Sequence, residues 1–228
     1  MHSINQINID QPTFAEYYFG PFRFSFAGVA SQIAVSAVCF HFCNHKLFNV
    51  IIEEVNRLNT VVSQFLDYAR PFSIRIQAQD INAIILKAVS IIAANRLTDN
   101  IVLARELQEG LPAVKVDEQQ LLQVIINISL NAIEAMPGGG TLTFRTSKIE
   151  TSAGAAVGIT IRDTGSGIEP DDVKNIFKPF YTTKERGVGL GLAICQKIIK
   201  EHGGSIRVKS LPGQGSVFFI RLNVDGKI

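Results

Sequence analysis

Three groups of residues in this chain could do chemistry, and each takes its meaning from spacing. Asn127 and Asn131 lie four apart in EQQLLQVIINISLNAIEAM, a run that is apolar almost all round. On a helix that spacing stacks both amides on one face. Burying two amides in a core helix costs free energy unless something takes up their hydrogen bonds. Backbone groups of a neighbouring strand would serve, and so would a hard, oxygen-seeking Mg2+ completed by phosphates. The second group, Asp163-Thr164-Gly165-Ser166-Gly167, closes an alternating apolar run, VGITIRD. A carboxylate at a strand end with two glycines behind it lets backbone approach a flat ligand closely, and Asp163 could accept a hydrogen bond from an exocyclic amine such as that of adenine. The same letters also describe an ordinary turn. Third, Gly187-Val188-Gly189-Leu190-Gly191 runs straight into LAICQKIIKEH. Glycines that open a helix present free N–H groups at the positive end of its dipole, which suits a polyphosphate. No Gly-Lys-Ser/Thr follows, so this is not a P-loop, and no acidic residue fits the dinucleotide fingerprint. Lys184, just upstream, is either a phosphate contact or a solvated surface lysine.

These groups need elements to hold them. Residues 73–77 alternate, and Asp80 caps a helix of about fifteen residues through Ile84, Ile85, Val89 and Ile92. Residues 101–107 form a strand candidate. Asp117 caps the Asn127/Asn131 helix, with Gln120 three residues on as in a capping box. Pro137-Gly138-Gly139-Gly140 stops that helix, and strands follow over 141–148 and 156–162. After the glycine-containing loop come a helix near 191–201 and a closing hairpin that turns at Pro212-Gly213-Gln214-Gly215. The order predicts an α+β fold, a two-layer α/β sandwich with helices on one face of a mixed sheet. Upstream, residues 49–70 predict a long amphipathic helix, with Val50, Ile51, Val55, Leu58, Val62, Phe65 and Ala69 on one face and Pro71 ending it. Such a helix needs a partner, and a helical hairpin dimerising into a bundle would supply one.

Composition narrows the function classes. The chain has 228 residues, 46% apolar and 18% charged, enough for one good core and a small accessory element. A net charge of +2 with no basic cluster interleaved with aromatics argues against nucleic acid. Three widely spread cysteines make no disulfide framework and favour a reducing cytoplasm. The apolar stretch 26–43 is short for a membrane span and reads first as a buried helix, with a span as the alternative.

Taken in order, Asn127/Asn131, Asp163–Gly167, FKPFYTTK at 177–184 and Gly187–Gly191 closely resemble the ATP-binding domain of sensor histidine kinases. That domain belongs to the wider ATPase group that includes DNA gyrase, MutL and the large heat-shock chaperone. The resemblance runs over residues 49–223, and FKPFYTTK, its most specific part, points to the nitrogen-regulation type. It implies a segment 1–45 of atypical sequence, a dimerisation helix within 46–71 and a catalytic domain over 72–228. It implies ATP and Mg2+ as cofactors, with Asn131 on the metal and Asn127 at the phosphates. Asp163 would hold the adenine amine, with Gly165 and Gly167 beneath the base and Ser216 in support. Phe177, Phe180 and Thr183 would sit in a mobile lid. Gly187, Gly189, Leu190 and Gly191 would make its phosphate-facing end, and Lys184 would approach the γ-phosphate. Asn127 and Lys184 are the candidate catalytic positions. Gyrase-like members carry a water-activating glutamate where this chain has Asn127, and an asparagine cannot act as general base at neutral pH. That difference favours a kinase over an ATPase.

The implied activity is a protein-histidine kinase of a two-component system, a cytoplasmic homodimer through helix 49–70. It would donate the γ-phosphoryl to a histidine for relay to the receiver domain of a response regulator. The acceptor is the departure. The family opens the first hairpin helix with a histidine followed by an acidic residue, and none of His2, His41, His45 and His202 matches. His45 stands nearest, whereas His202, in EHGG, sits where the family has a structural histidine. The alternative is therefore an ATP-binding, non-catalytic remnant that pairs with and modulates another kinase. Cys39, His41, Cys43 and His45 raise a zinc site, but on a helix the Cys and His pairs would point in different directions. Cys195 lies on an apolar helix face and is expected in the core.

Overall fold

The computed structural model describes residues 50–52, 54–55, 74–94, 100–151, 154–184 and 187–224. The chain divides into two compact units, Met1–Leu58 and Asn59–Ile228. In the first, residues 50–52 and 54–55 are helical, and Val50, Ile51, Ile52 and Val55 are all exposed. The remainder of the expected 49–70 helix, the apolar 26–43 stretch and the Cys39/His41/Cys43/His45 group lie outside the described residues.

The second unit holds the sandwich. Its elements run β1 (Gln77–Gln79), α1 (Ile81–Ala93), β2 (Ile101–Glu106), β3 (Val114–Val116), α2 (Glu118–Glu134), β4 (Gly140–Thr151), β5 (Gly154–Arg162), α3 (Pro170–Val173), α4 (Gly191–Glu201), β6 (Ser205–Ser210) and β7 (Ser216–Asn223). Five strands form one mixed sheet in the order β2-β4-β5-β7-β6, while β1 and β3 pair separately. Only β2 and β4 are parallel, joined by a crossover that contains α2; the other pairs are antiparallel.

Alternation explains why the helices cover one face. On β7, Ser216, Phe218, Ile220 and Leu222 are buried, while Phe219 and Arg221 point outward. Leu142 and Phe144 of β4 and Ile159 and Ile161 of β5 join the same core. Against it pack Ile84, Ile85 and Ala88 of α1, Val124, Ile125 and Ile128 of α2, and Ile194, Cys195 and Ile198 of α4. Helix α2 packs on both α1 and α4. Burial of these branched side chains, each worth about 1.5–3 kcal/mol, is what ties the layers together.

Several boundaries move from the sequence expectation. The first strand lies at Gln77–Gln79, at the end of the alternating stretch, where pairing with β3 sets it (Gln77 opposite Val116). Strands β4 and β5 run to Thr151 and from Gly154, their ladder continuing to the hairpin tip. Helix α1 has 13 residues, and the glycine-containing loop includes the short α3 with proline in its first turn.

The capping box expected at α2 forms only by half. Asp117 accepts from the backbone of Gln119 and Gln120 at 3.0 and 3.1 Å. Gln120 does not return the bond; its Oε1 is buried without a partner. The Asp117 N–H donates instead to His202 Nε2 at 3.0 Å. His202 Nδ1 is 2.8 Å from the Ile198 carbonyl, which can only accept, so the proton sits on Nδ1 and Nε2 is the acceptor. His202, 3% exposed, thus ties the end of α4 to the start of α2. Cys195 is fully buried, and burial pushes its thiol up to about 12. Among the described residues no helix is long and apolar enough to cross a membrane, and no three His, Cys, Asp or Glu side chains cluster as a metal site.

Candidate functional site

A cavity of about 750 Å3 opens between α2, the turn after β5, the segment leading into α4 and the start of β7. Asp163 forms its floor. The residue ends β5, is 2% exposed, and its Oδ1 accepts from the backbone N–H of Gly165 (2.9 Å) and Ser216 (3.1 Å). Burial raises its pKa above the ordinary carboxylate value, and the two N–H donors oppose that shift without cancelling it. Both of these backbone donors fall on Oδ1, and the Ser216 side chain also hydrogen-bonds the carboxylate.

Backbone packing makes the floor narrow. A Cβ on Gly167, whose φ is +73°, would fall 2.1 Å from the Leu211 carbonyl oxygen. One on Gly215, φ +80°, would fall 2.2 Å from the Asp163 carbonyl oxygen. Only glycine fits either place. Gly165 presses on the end of α2, where Ser166 N–H donates to Ala135 O at 3.0 Å. Ser210 locks the opposite side. Its Oγ accepts from Ile168 N–H at 2.8 Å and lies 2.9 Å from Gly215 O and 3.0 Å from Ser216 Oγ.

Helix α2 supplies one wall. Asn127 and Asn131 both line the cavity. Asn131 Nδ2 donates to the Asn127 carbonyl at 3.0 Å, so its own helix, and not a neighbouring strand, takes up that amide. The bond fixes the amide's orientation and leaves Oδ1 for a cation, and Lys184 Nζ lies 2.6 Å from it. The same Nζ also meets Glu134 Oε2. The Asn127 side chain hydrogen-bonds toward the Cys195 thiol, opposing the effect of burial there.

The remaining wall is the segment before α4. Tyr181, Thr182, Thr183, Lys184, Gly187, Gly189 and Gly191 line the cavity. Tyr181 Oη donates to Asp172 at 2.5 Å, and that bond, reinforced by the charge of Asp172, raises the phenol's pKa. Gly191 opens α4, whose N-terminus therefore faces the cavity.

Most of the expected site residues meet here, namely Asn127, Asn131, Asp163, Gly167, Thr183, Lys184, Gly187, Gly189, Gly191 and Ser216. Gly165, Phe177, Phe180 and Leu190 are not on the wall. Gly165 backs onto Ala135, and Phe177 packs on the core. Leu190 is wholly buried, and Phe180 is 59% exposed with φ +65°. Sequence reasoning missed Glu134, Asp172, Ser210 and Gly215. Glu134 had a signal, since it follows Asn131 by three residues on the same helix face. Ser210 had none, because only the β6–β7 register brings it opposite Ser216.

Comparison with known proteins identifies the family and the fold. Residues 116–226 match the family of histidine kinase-, DNA gyrase B-, and HSP90-like ATPases. The sensor histidine kinase ZraS of Salmonella typhi is 40% identical over 181 residues, which is 79% of this chain and 38% of ZraS. The chain thus spans about two fifths of that relative's length. Full-length ShkA, solved with AMPPNP, superposes with a TM-score of 0.66 at 26% identity, over 75% of this chain and 36% of ShkA. The nucleotide-free catalytic domain of histidine kinase ThkA superposes with a TM-score of 0.59 at 30% identity, over 66% of this chain and 96% of that domain. The ThkA complex with the response regulator TrrA gives 0.66 at 27% identity, over 87% of this chain and 60% of that one. The chain thus carries an ATPase domain of the histidine kinase type and belongs to the sensor histidine kinases.

Proposed function

We propose that this chain binds Mg-ATP and donates its γ-phosphoryl to a histidine, for relay to the receiver domain of a response regulator. One observation carries the proposal: the cavity combines a buried carboxylate floor with an amide, and no carboxylate, at position 127. The donors fit the nucleotide. Asp163 accepts from the adenine amine, Ser216 holds Asp163 in place, and Gly165 and Gly167 keep the turn close enough for the base. A cavity of about 750 Å3 is ample for a nucleotide. Asn127, Thr183, Gly187, Gly189 and Gly191 face the phosphates with amide, hydroxyl and backbone N–H groups, while Phe177 and Leu190 anchor the lid segment in the core and Phe180 stands exposed on it. Lys184 approaches the γ-phosphate.

Asn131 Oδ1 fits a hard cation, since an ammonium already sits against it. Asn131 would hold Mg2+ through Oδ1, and the ion would supply charge neutralisation at the phosphates. The protein's share is positioning and electrostatics. Asn127 cannot take a proton from water, so hydrolysis stays slow and the phosphoryl is kept for an imidazole.

His202 is not that imidazole, because both its ring nitrogens are engaged and it is buried. The remaining histidines, His2, His41 and His45, lie outside the described residues. The chain works in the cytoplasm as a homodimer through helix 49–70. A second reading, an ATP-binding partner that modulates another kinase, draws on the lack of an acceptor motif upstream.

The test is incubation with γ-labelled ATP, with and without an added sensor-kinase hairpin that carries an acceptor histidine. Acid-labile, alkali-stable label on the chain or on the hairpin supports the proposal. Nucleotide binding with no label on either supports the second reading.

A further inference from the structure

We propose that Asn131 and Glu134 form a single cation seat, filled by Lys184 in the absence of nucleotide and by a divalent ion in its presence. Glu134 thereby becomes a metal-side residue of the site. The inference rests on the Mg-ATP reading above and extends it to a residue which that reading leaves without a role. Asn131 and Glu134 are three apart on α2, so they project from the same face, and both line the cavity. One ammonium, Lys184 Nζ, touches Asn131 Oδ1 at 2.6 Å and also meets Glu134 Oε2, so both oxygens lie within the reach of one cation. The Asn131 amide is held by its Nδ2 bond to the Asn127 carbonyl, which keeps Oδ1 turned toward that cation.

Charge explains why Glu134 belongs to the seat. An amide oxygen is neutral, whereas a hard divalent ion is usually held by one or two carboxylates together with substrate phosphates. Asn131 alone offers no anionic ligand, and Glu134 is the carboxylate that shares its cation. The occupant is exchangeable as well. The side chains of Lys184 and Glu134 are 46% and 56% exposed, and an ion pair that open to water is weak. A divalent ion arriving with the nucleotide takes the oxygens and releases the lysine, whose ammonium is then free to meet the phosphates. Lys184 and the metal compete for one place in the empty site and cooperate in the filled one.

The competition predicts a sign that an ordinary phosphate-binding lysine does not. Fluorescent ADP, which lacks the γ-phosphate, is titrated onto the full chain across a range of Mg2+ concentrations, for wild type, Lys184→Met and the double variant Glu134→Gln with Lys184→Met. Removing the competing ammonium should lower the half-saturating Mg2+ concentration several-fold in Lys184→Met. Removing the carboxylate as well should then raise it about tenfold above Lys184→Met, as expected for a metal-side group. The inference is overturned if Lys184→Met leaves that concentration unchanged or raises it. Equal values for the single and double variants overturn it too. If wild type fails to bind ADP at any Mg2+ concentration, the nucleotide reading itself falls, and the seat with it.

Discussion

The floor of the cavity and the wall facing it are built on different physics. The floor is braced by backbone. Asp163 takes two main-chain N–H donors, Ser210 clamps the β6–β7 turn, and Gly167 and Gly215 sit where any side chain would strike a carbonyl. The facing segment packs on backbone at Gly189 and is otherwise held by side chains, through Tyr181 on Asp172 and Lys184 on Glu134 and Asn131, with Phe180 largely in solvent. The floor is therefore inseparable from the fold, while on the facing wall Leu190 is in the core and the Tyr181 and Lys184 contacts lie outside it. On the proposed reading, the first would recognise the base and the second would handle the phosphates.

The largest expected effect comes from forcing a side chain into the floor. Gly167→Val must relieve a 2.1 Å approach to backbone at a positive φ, so we expect a loss of about 3 kcal/mol or more in urea unfolding, together with loss of nucleotide binding. Gly191→Ala is the control from the other wall. Nothing lies within 4 Å of the added Cβ, and the position opens a helix, so stability should hold or rise by about 0.5 kcal/mol. Equal losses in the two variants would erase the distinction between floor and wall.

Next in size is Asp163→Asn. An asparagine oxygen still accepts from Gly165 and Ser216, so the fold should survive, while ATP affinity falls at least about a hundredfold as the partner of the adenine amine is lost. Asp163 also sets a pH dependence. Its folded-state pKa lies above the unfolded value, so the stability this group contributes is present at low pH and is lost as pH rises through the folded pKa. Nucleotide binding runs the other way, strengthening over the same window as the carboxylate ionises. Asp163→Asn should abolish both slopes in paired titrations of unfolding and ATP binding.

His202→Ala tests the fold away from the cavity. It leaves the Asp117 N–H without its partner, and we expect a loss of about 1–3 kcal/mol in chemical unfolding with ATP affinity little changed. Smallest of all on stability is Lys184→Ala. Its exposed ion pair should contribute less than about 1 kcal/mol, so thermal unfolding should barely move while the preference for ATP over ADP narrows.

The same contrast governs what could be read without coordinates. Helix α2, with Asp117 as its cap and Asn127 and Asn131 on one face, was legible because period and capping are local. So were the α+β layers and the Asp163–Gly167 turn. The capping box was half right for a tertiary reason: His202, 85 residues away, took the N–H that a box would give to Gln120. Ser210 and Gly215 stayed hidden because their partners, Ser216 and Asp163, reach them only through strand pairing. Of the residues expected in the lid and its phosphate-facing end, the apolar Leu190 side chain is in the core, and Phe180 has a positive φ and faces solvent. Spacing placed Glu134 beside Asn131, yet its role depends on a lysine 50 residues further on.

The central claim is that Asp163 selects an adenine nucleotide, and calorimetric titration of ATP and GTP onto wild type and Asp163→Asn tests it most directly. We predict that wild type binds ATP and rejects GTP, whose six-position carbonyl has no proton to give Asp163, and that Asp163→Asn loses this preference. Equal affinity of wild type for the two nucleotides, or an unchanged preference in Asp163→Asn, would contradict the account.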